Sequence, residues 1–284
     1  MRVCAVICEY NPFHLGHAYH LRAAREASGA DYVLCLMSGA LTQRGAFARH
    51  DKWLRARAAL ENGADLVLEL PTRFACAPAP DFASGGVALL SALGVATHLS
   101  FGCEASALPL LSAAAALFKA ESPAFSAALR ARLADGLPYP RARALAAEQA
   151  AGLPAALLAQ PNAALALEYL QALPPEIAPV PVERRGSGYH DAALSSLSSA
   201  TAVRAALARG DLPAALSAVP SPAPLLKAIK RRSAIPLVTK AADFDRAHPL
   251  FALDVRAQDL WSLGVSNPAL RSSGRDFTTS PILV

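Results

Sequence analysis

Two histidines three residues apart, His14 and His17, flank Gly16 just after an apolar run, Val3-Cys4-Ala5-Val6-Ile7. The run reads as a buried strand. Asn11-Pro12 breaks it, and helical spacing begins at Leu15, so both imidazoles fall at a helix start and on one face. Backbone N–H groups at a helix start lack intrahelical partners and carry the positive end of the dipole, which suits an anion. Gly16 lets a ligand approach the backbone closely. The chemistry this suggests is phosphate binding. A histidine pair at this spacing is also compatible with zinc, but no third Cys or His stands nearby at ligand spacing. Two purely structural histidines are the plainer alternative. Gly16 and the preceding strand weigh against it.

The elements that must hold this pair alternate along the chain. Strands are expected at 3–7, 32–37, 65–70 and 97–101, and helices from Leu15, at 49–60 and at 81–93. Several strands are apolar on both faces, which predicts a parallel sheet covered by helices on each side, an α/β fold. Ligands in such sheets bind beyond the C-terminal strand ends, where strand order switches. His14 and His17 lie at one such end, and Gly102 lies at another. Residues 105–158 are alanine-rich and helical, broken by prolines. A helix is expected at 162–173 and a fifth strand at 179–184, at an edge because of its prolines.

A second polar stretch follows. Arg184-Arg185-Gly186-Ser187-Gly188-Tyr189-His190-Asp191 reads as a basic loop, and Ser198-Ser199-Ala200-Thr201-Ala202-Val203-Arg204 opens a helix. Ser and Thr can cap that helix and do nothing more. Beside the histidine pair, the same residues become candidate phosphate ligands.

Composition sets wider bounds. The chain has 284 residues, enough for one large domain or two small ones, and a net charge of +5. That charge is compatible with phosphate or nucleic-acid partners, although alanine- and arginine-rich composition alone can produce it. No uninterrupted apolar stretch is long enough for a membrane span, and no basic leader is seen. Five cysteines (Cys4, Cys8, Cys35, Cys76, Cys103) form no CxxC pair and read as reduced core thiols of a cytoplasmic protein.

His14-Leu15-Gly16-His17 resembles the HxGH signature of the nucleotidylyltransferase superfamily, and the Ser199–Arg204 stretch resembles its S-S-x-T-x-x-R helix. Further motifs narrow the resemblance: Glu9-Tyr10-Asn11-Pro12-Phe13, Met37-Ser38-Gly39 with Gln43-Arg44-Gly45, Asp51-Lys52-Trp53, the run from Asn62-Gly63 to Pro71, Phe101-Gly102-Cys103-Glu104, Gly188-Tyr189-His190-Asp191, and, near the C-terminus, Asp259-Leu260-Trp261 and Asp276-Phe277-Thr278-Thr279. Together they resemble the tRNA(Met) cytidine acetate ligase family. The resemblance covers residues 1 to about 205 and again from about 235.

It implies a Rossmann-like nucleotidylyltransferase sheet and an ATP-dependent ligase. Acetate is activated as acetyladenylate, and the acetyl group passes to N4 of the wobble cytidine of elongator tRNA(Met). It also implies catalytic roles for His14 and His17. The implied ATP site is Ile7, Cys8, Glu9, Tyr10, Asn11, Pro12, Phe13, His14, Leu15, Gly16, His17, Ala18, Tyr19, His20, Gly102, Asn162 and an arginine of the Arg184-Arg185 pair. Ser199, Thr201 and Arg204 are the distal phosphate candidates. Mg²⁺ is expected to come with the nucleotide, with no metal site of the chain's own. No membrane partner is expected.

The chain departs from the family pattern in two places. A helical, Arg/Lys-rich segment is shortened to Lys227-Ala228-Ile229-Lys230-Arg231-Arg232, and Ala163 follows Asn162 where the family tends to have a second asparagine. The expected division is a catalytic domain at 1–209 and a shortened C-terminal region at 210–284, a candidate tRNA contact. Two alternatives stay open. One is a nucleotidylyltransferase acting on a small phosphorylated acceptor. The other is a truncated nucleotide-binding relative that no longer acetylates tRNA.

Overall fold

Successive residues of the second strand point to opposite faces, and both faces are apolar. Leu34 and Leu36 join one core cluster, while Val33, Cys35 and Met37 join another. A strand buried on both sides needs cover on both sides, and the chain supplies it as helices. The structure is a computed structural model describing residues 1–104, 107–184 and 199–220. All of these belong to one compact unit, Met1–Pro220. Arg185, the loop through Asp191, Ser198, the basic cluster at 227–232 and the motifs at 259–261 and 276–279 lie outside the described residues.

Five parallel strands form the sheet: β1 (Val3–Cys8), β2 (Tyr32–Ser38), β3 (Leu66–Leu70), β4 (His98–Cys103) and β5 (Ala178–Glu183). Their order is β3-β2-β1-β4-β5. The chain builds outward from β1 in one direction and then in the other, so the switch point lies at the C-terminal ends of β1 and β4. β5 is an edge strand, as its prolines predict. Pro179 pairs with Leu99 and Pro181 with Phe101, and an edge strand needs its N–H groups on one side only.

Helix α1 (Leu15–Ser28) follows β1, α2 (Lys52–Leu60) follows β2, and α3 (Thr72–Ala75) and α4 (Ala79–Leu93) follow β3. Five helices separate β4 from β5: α5 (Leu108–Ala120), α6 (Pro123–Ala134), α7 (Tyr139–Ala151), α8 (Ala155–Leu158) and α9 (Pro161–Ala172). The unit closes with α10 (Ala200–Ala208) and α11 (Leu212–Ser217). Val87, Leu90, Leu111 and Leu167 from α4, α5 and α9 cover one sheet face, and Leu21 and Ala59 from α1 and α2 cover the other. Each fully buried leucine is worth about 1.5–3 kcal/mol over its exposed state.

Two glycines of α4 are packing requirements. A Cβ on Gly85 would stand 2.2 Å from the Phe74 ring, and one on Gly86 would stand 2.6 Å from Ile7. Four of the cysteines are buried in this core, and the Cys103 sulfur lies 3.9 Å from the Val182 carbonyl, so it packs between strands.

The expected helix at 49–60 starts later, at Lys52, because Asp51 caps it by accepting from the Leu54 amide at 2.8 Å. The residues before the cap are held elsewhere. The Arg49 amide donates to Asn11 Oδ1 at 2.7 Å. Residues 40–48 fold into a small hairpin, bridged at Leu41 and Phe47. No described helix is long and apolar enough to cross a membrane.

Candidate active site

The turn from β1 to α1 carries a left-handed Tyr10 (φ 49°) and a cis Asn11–Pro12 bond. It delivers His14 to the N-cap of α1 and His17 to the third helical position. The two side chains cap the helix reciprocally. His14 Nδ1 accepts from the Gly16 amide at 3.1 Å, and His17 Nδ1 accepts from the His14 amide at 3.3 Å. This is the geometry of a capping box, with imidazoles in place of the usual hydroxyl and carboxylate. An Nδ1 that accepts from an N–H carries no proton, so each neutral ring holds its proton on Nε2. The rings stack with centroids 3.7 Å apart, and Tyr10 packs 4.8 Å from the His17 ring.

This arrangement corrects one expectation. The first-turn amides of α1 are not left for an anion. Leu15 N–H donates to the Ala218 carbonyl at 3.0 Å, Gly16 N–H to His14 Nδ1, and His17 and Ala18 N–H to the His14 carbonyl. What the turn offers a ligand is the pair of Nε2–H groups.

Burial keeps these imidazoles neutral. It lowers His14 to about 3 and His20 to about 4, and it pushes His17 well below the usual range. Arg184 adds to the effect on all three rings, Arg204 adds to it on His14, and His14 and His20 add to it on His17. His20 Nε2, on α1, lies 3.0 Å from Ser100 Oγ in the middle of β4.

Arg204 reaches back from α10 to the β1–α1 turn. Its Nη1 donates to the Asn11 carbonyl at 2.6 Å and its Nη2 to Thr201 Oγ1 at 3.0 Å. Ser199 is buried and accepts from the Ala202 amide at 3.1 Å, which is the capping role that the sequence also allowed.

The opposite wall is built at the ends of β4 and β5. Glu104 caps α9. Its carboxylate accepts from the Asn162 amide at 3.1 Å, the Ala163 amide at 3.1 Å and Asn162 Nδ2 at 2.6 Å. The Asn162 carboxamide is thereby oriented, and its Oδ1 accepts from Arg184 Nη1 at 3.2 Å. Gly102 faces Arg184. A Cβ there would meet the Arg184 side chain at an ordinary 3.5 Å, so packing does not demand glycine. Its missing side chain leaves room in the pocket instead.

These groups surround a pocket of about 450 Å³. Of the expected ATP-site residues, Ile7, Cys8, Glu9, Tyr10, Asn11, His14, Gly16, His17, Tyr19, His20, Gly102, Asn162 and Arg184 line it. Pro12, Phe13, Leu15 and Ala18 do not; Phe13 is buried behind the His17 ring at 5.6 Å. Arg204 lines the pocket, whereas Ser199 and Thr201 do not. Phe82, Phe101 and Tyr169 add an apolar wall.

Sequence reasoning missed Glu104 as the group that orients Asn162, although it stood in a quoted motif. It also missed Arg55. That guanidinium is 1% exposed and donates to the carbonyls of Glu9 at 2.6 Å, Ser38 at 3.0 Å and His50 at 3.1 Å, and to that of Gly39. It ties the ends of β1 and β2 together. Nothing in the periodicity of α2 separates this arginine from its exposed neighbour Arg57. Among the described residues, no group of three or more His, Cys, Asp or Glu stands together for a metal.

A parallel sheet with a pocket at its switch point, lined by His14, His17, Arg184 and Arg204, defines an α/β protein of the kind that takes ligands beyond its strand ends. Residues 1–224 match the HIGH Nucleotidyl Transferase family, and the chain belongs to it. The chain is 44% identical over 218 residues to the tRNA(Met) cytidine acetate ligase of Syntrophotalea carbinolica, covering 74% of this chain and 52% of the relative. To the protein of the same name from Clostridium perfringens it is 38% identical over 234 residues, covering 78% and 58%. Its fold matches Thermotoga maritima TmcAL bound with alpha-thio ATP with a TM-score of 0.73 at 33% identity, covering 81% of this chain and 56% of that one. The apo form matches with a TM-score of 0.74. The chain thus spans about half the length of the curated relatives it matches.

Proposed function

We propose that the described unit activates acetate with ATP and that the chain passes the acetyl group to N4 of the wobble cytidine of elongator tRNA(Met). The observation that carries the reading is the convergence of two neutral Nε2–H donors, His14 and His17, with Arg184 and Arg204 on one pocket. The names of the relatives and the alpha-thio ATP of the Thermotoga maritima structure support it.

In this reading the triphosphate lies along α1 and adenosine rests against Gly102 and Asn162. An acetate oxygen forms a bond to the α-phosphorus, the bond to the β-phosphate oxygen breaks, and pyrophosphate leaves. Such a step is driven by position and by stabilisation of the charge that moves onto the leaving group. His14 and His17 donate hydrogen bonds to phosphate oxygens without giving up their protons. Arg204 holds the distal phosphates, and Arg184, or Arg185 beside it, holds the nucleotide. Mg²⁺ would come bound to the nucleotide and would neutralise part of the triphosphate charge. In the second step the cytidine amine attacks the acetyl carbonyl, AMP leaves and the amine loses a proton. An unpaired anticodon base can be presented for this. The unit Met1–Pro220, which runs past the expected boundary at 209, would carry the first step, and the chain beyond it would contribute to holding tRNA.

The test has two stages. Acetate-dependent pyrophosphate release from ATP is the expected first result, and release that ignores acetate overturns the acetate-ligase reading in favour of another nucleotidylyl acceptor. Mass spectrometry of elongator tRNA(Met) after incubation with ATP and labelled acetate then reads the second step. Acetyladenylate formed without labelled N4-acetylcytidine would confine the chain to activation.

A further inference from the structure

The hairpin at 40–48 is pinned to the β1–α1 turn at its tip and just past its return leg. Gln43 N–H donates to Glu9 Oε1 at 2.7 Å and Arg49 N–H to Asn11 Oδ1 at 2.7 Å. Its own ladder is closed by Thr42 N–H to the Ala46 carbonyl at 2.9 Å and Ala48 N–H to the Ala40 carbonyl at 2.8 Å, around a left-handed Gly45 (φ 71°). The tip residues Gln43 and Arg44 line the pocket. Phe47, on the return leg, is 69% exposed. The hairpin therefore holds a large apolar ring in water, three residues along the chain from the pocket-lining Arg44.

A second aromatic stands at the same sheet edge. In a parallel α/β fold each helix begins at the C-terminal end of the strand before it, which is the edge where the pocket opens. Trp53 lies in the first turn of α2 and is 45% exposed, with Lys52 Nζ 5.4 Å from its ring. Arg44, on the hairpin tip, is exposed and Arg49 follows the return leg, whereas Lys52 is ion-paired with Glu69 at 2.5 Å, Arg57 with Glu61 at 2.7 Å, and Arg55 is buried.

We infer that this hairpin and the start of α2 form a stacking platform for single-stranded RNA, on which unpaired bases beside the acceptor nucleotide lie against Phe47 and Trp53. Exposed rings with Arg44 and Arg49 beside them are the pattern of a surface that stacks bases and tracks phosphates. The residues between the rings are polar or small, so the surface lacks the contiguous apolar area that a protein partner would bury. Its position also fits, because an acceptor base entering the pocket past Gln43 and Arg44 brings its neighbours over the hairpin. The inference rests on the acetyl-transfer reading for the identity of the RNA, not for its binding.

Binding is tested first, with the full chain, by fluorescence anisotropy of a short fluorescein-labelled single-stranded RNA and of the same RNA as a duplex. Phe47→Ala should weaken single-strand binding about tenfold, leave duplex binding unchanged, and be rescued by Phe47→Trp. Equal single-strand binding by wild type and Phe47→Ala overturns the platform, and so does an equal loss for both RNAs. Acetate-dependent pyrophosphate release without RNA should be unchanged in Phe47→Ala, while the KM for tRNA in acetyl transfer rises about tenfold. A fall in pyrophosphate release would show that the ring serves the pocket and would overturn the inference. If wild type releases no pyrophosphate in response to acetate, the acetyl-transfer reading fails, and the anisotropy result still decides the platform.

Discussion

Two helix starts face the same pocket and are built on opposite principles. At α1, His14 and His17 use Nδ1 to cap the helix and keep neutral Nε2–H groups for a ligand. At α10, Ser199 alone does the capping, and Arg204 one turn on carries a full charge that is already bonded to the Asn11 carbonyl. The first start is buried and uncharged; the second brings a cation to the rim. A buried donor without charge costs little desolvation and keeps its direction. A cation attracts phosphate from further away.

The largest break in this comparison is His14→Asn. Asparagine keeps an N-cap acceptor, so α1 stays formed, but it lacks the Nε2–H. Acetate-dependent pyrophosphate release should fall by about 10²–10³, the usual cost of one lost charge-stabilising donor, with the circular dichroism spectrum unchanged. Near-normal turnover would remove the phosphate role. Next is Arg204→Lys. An ammonium cannot span both the Asn11 carbonyl and Thr201 Oγ1, and the KM for ATP should rise about tenfold with kcat less affected.

Acid sharpens the contrast. His14 and His20 titrate in the folded chain near 3 and 4, and His17 titrates well below its usual value, against about 6.5 unfolded. Below pH 6.5 the unfolded chain therefore holds protons that the folded chain lacks, and stability falls with pH. Between pH 6.5 and 5 the loss is up to about 2 kcal/mol per histidine, measured by urea midpoints. On the proposed reading a bound nucleotide would place phosphate beside His14 and His17, raise their folded pKa and flatten this slope; a slope that ATP leaves unchanged would separate the rings from the phosphates. The smallest expected effect is Ser199→Ala, about 1 kcal/mol of stability from the lost cap, with the KM for ATP unmoved. A large KM effect would make Ser199 a ligand.

The same contrast marks what the sequence disclosed. The strands were legible because each is a short apolar run ended by a breaker, and β1 and β2 were placed within a residue of their observed ends. The histidine pair was legible from its spacing to Gly16. Its capping was not, because imidazole seldom replaces hydroxyl and carboxylate in that role, so the amides of α1 looked available. Arg55 was invisible because its partners are carbonyls of Glu9, Ser38, Gly39 and His50, and backbone acceptors leave no mark on side-chain patterns. The hairpin at 40–48 was hidden for the same reason. Its register comes from Glu9 and Asn11, more than thirty residues away.

The hydrogen bond from Leu15 N–H to the Ala218 carbonyl also bears on synthesis. The ribosome makes the first turn of α1 early and its sealing carbonyl late. While the chain is nascent, the sheet can assemble in order, but the histidine turn keeps an unpaired amide and lacks the Arg204 brace until α10 and α11 emerge. The pocket is thus completed near the end of the unit's translation, and a chain released before residue 218 would carry the strands without a finished site.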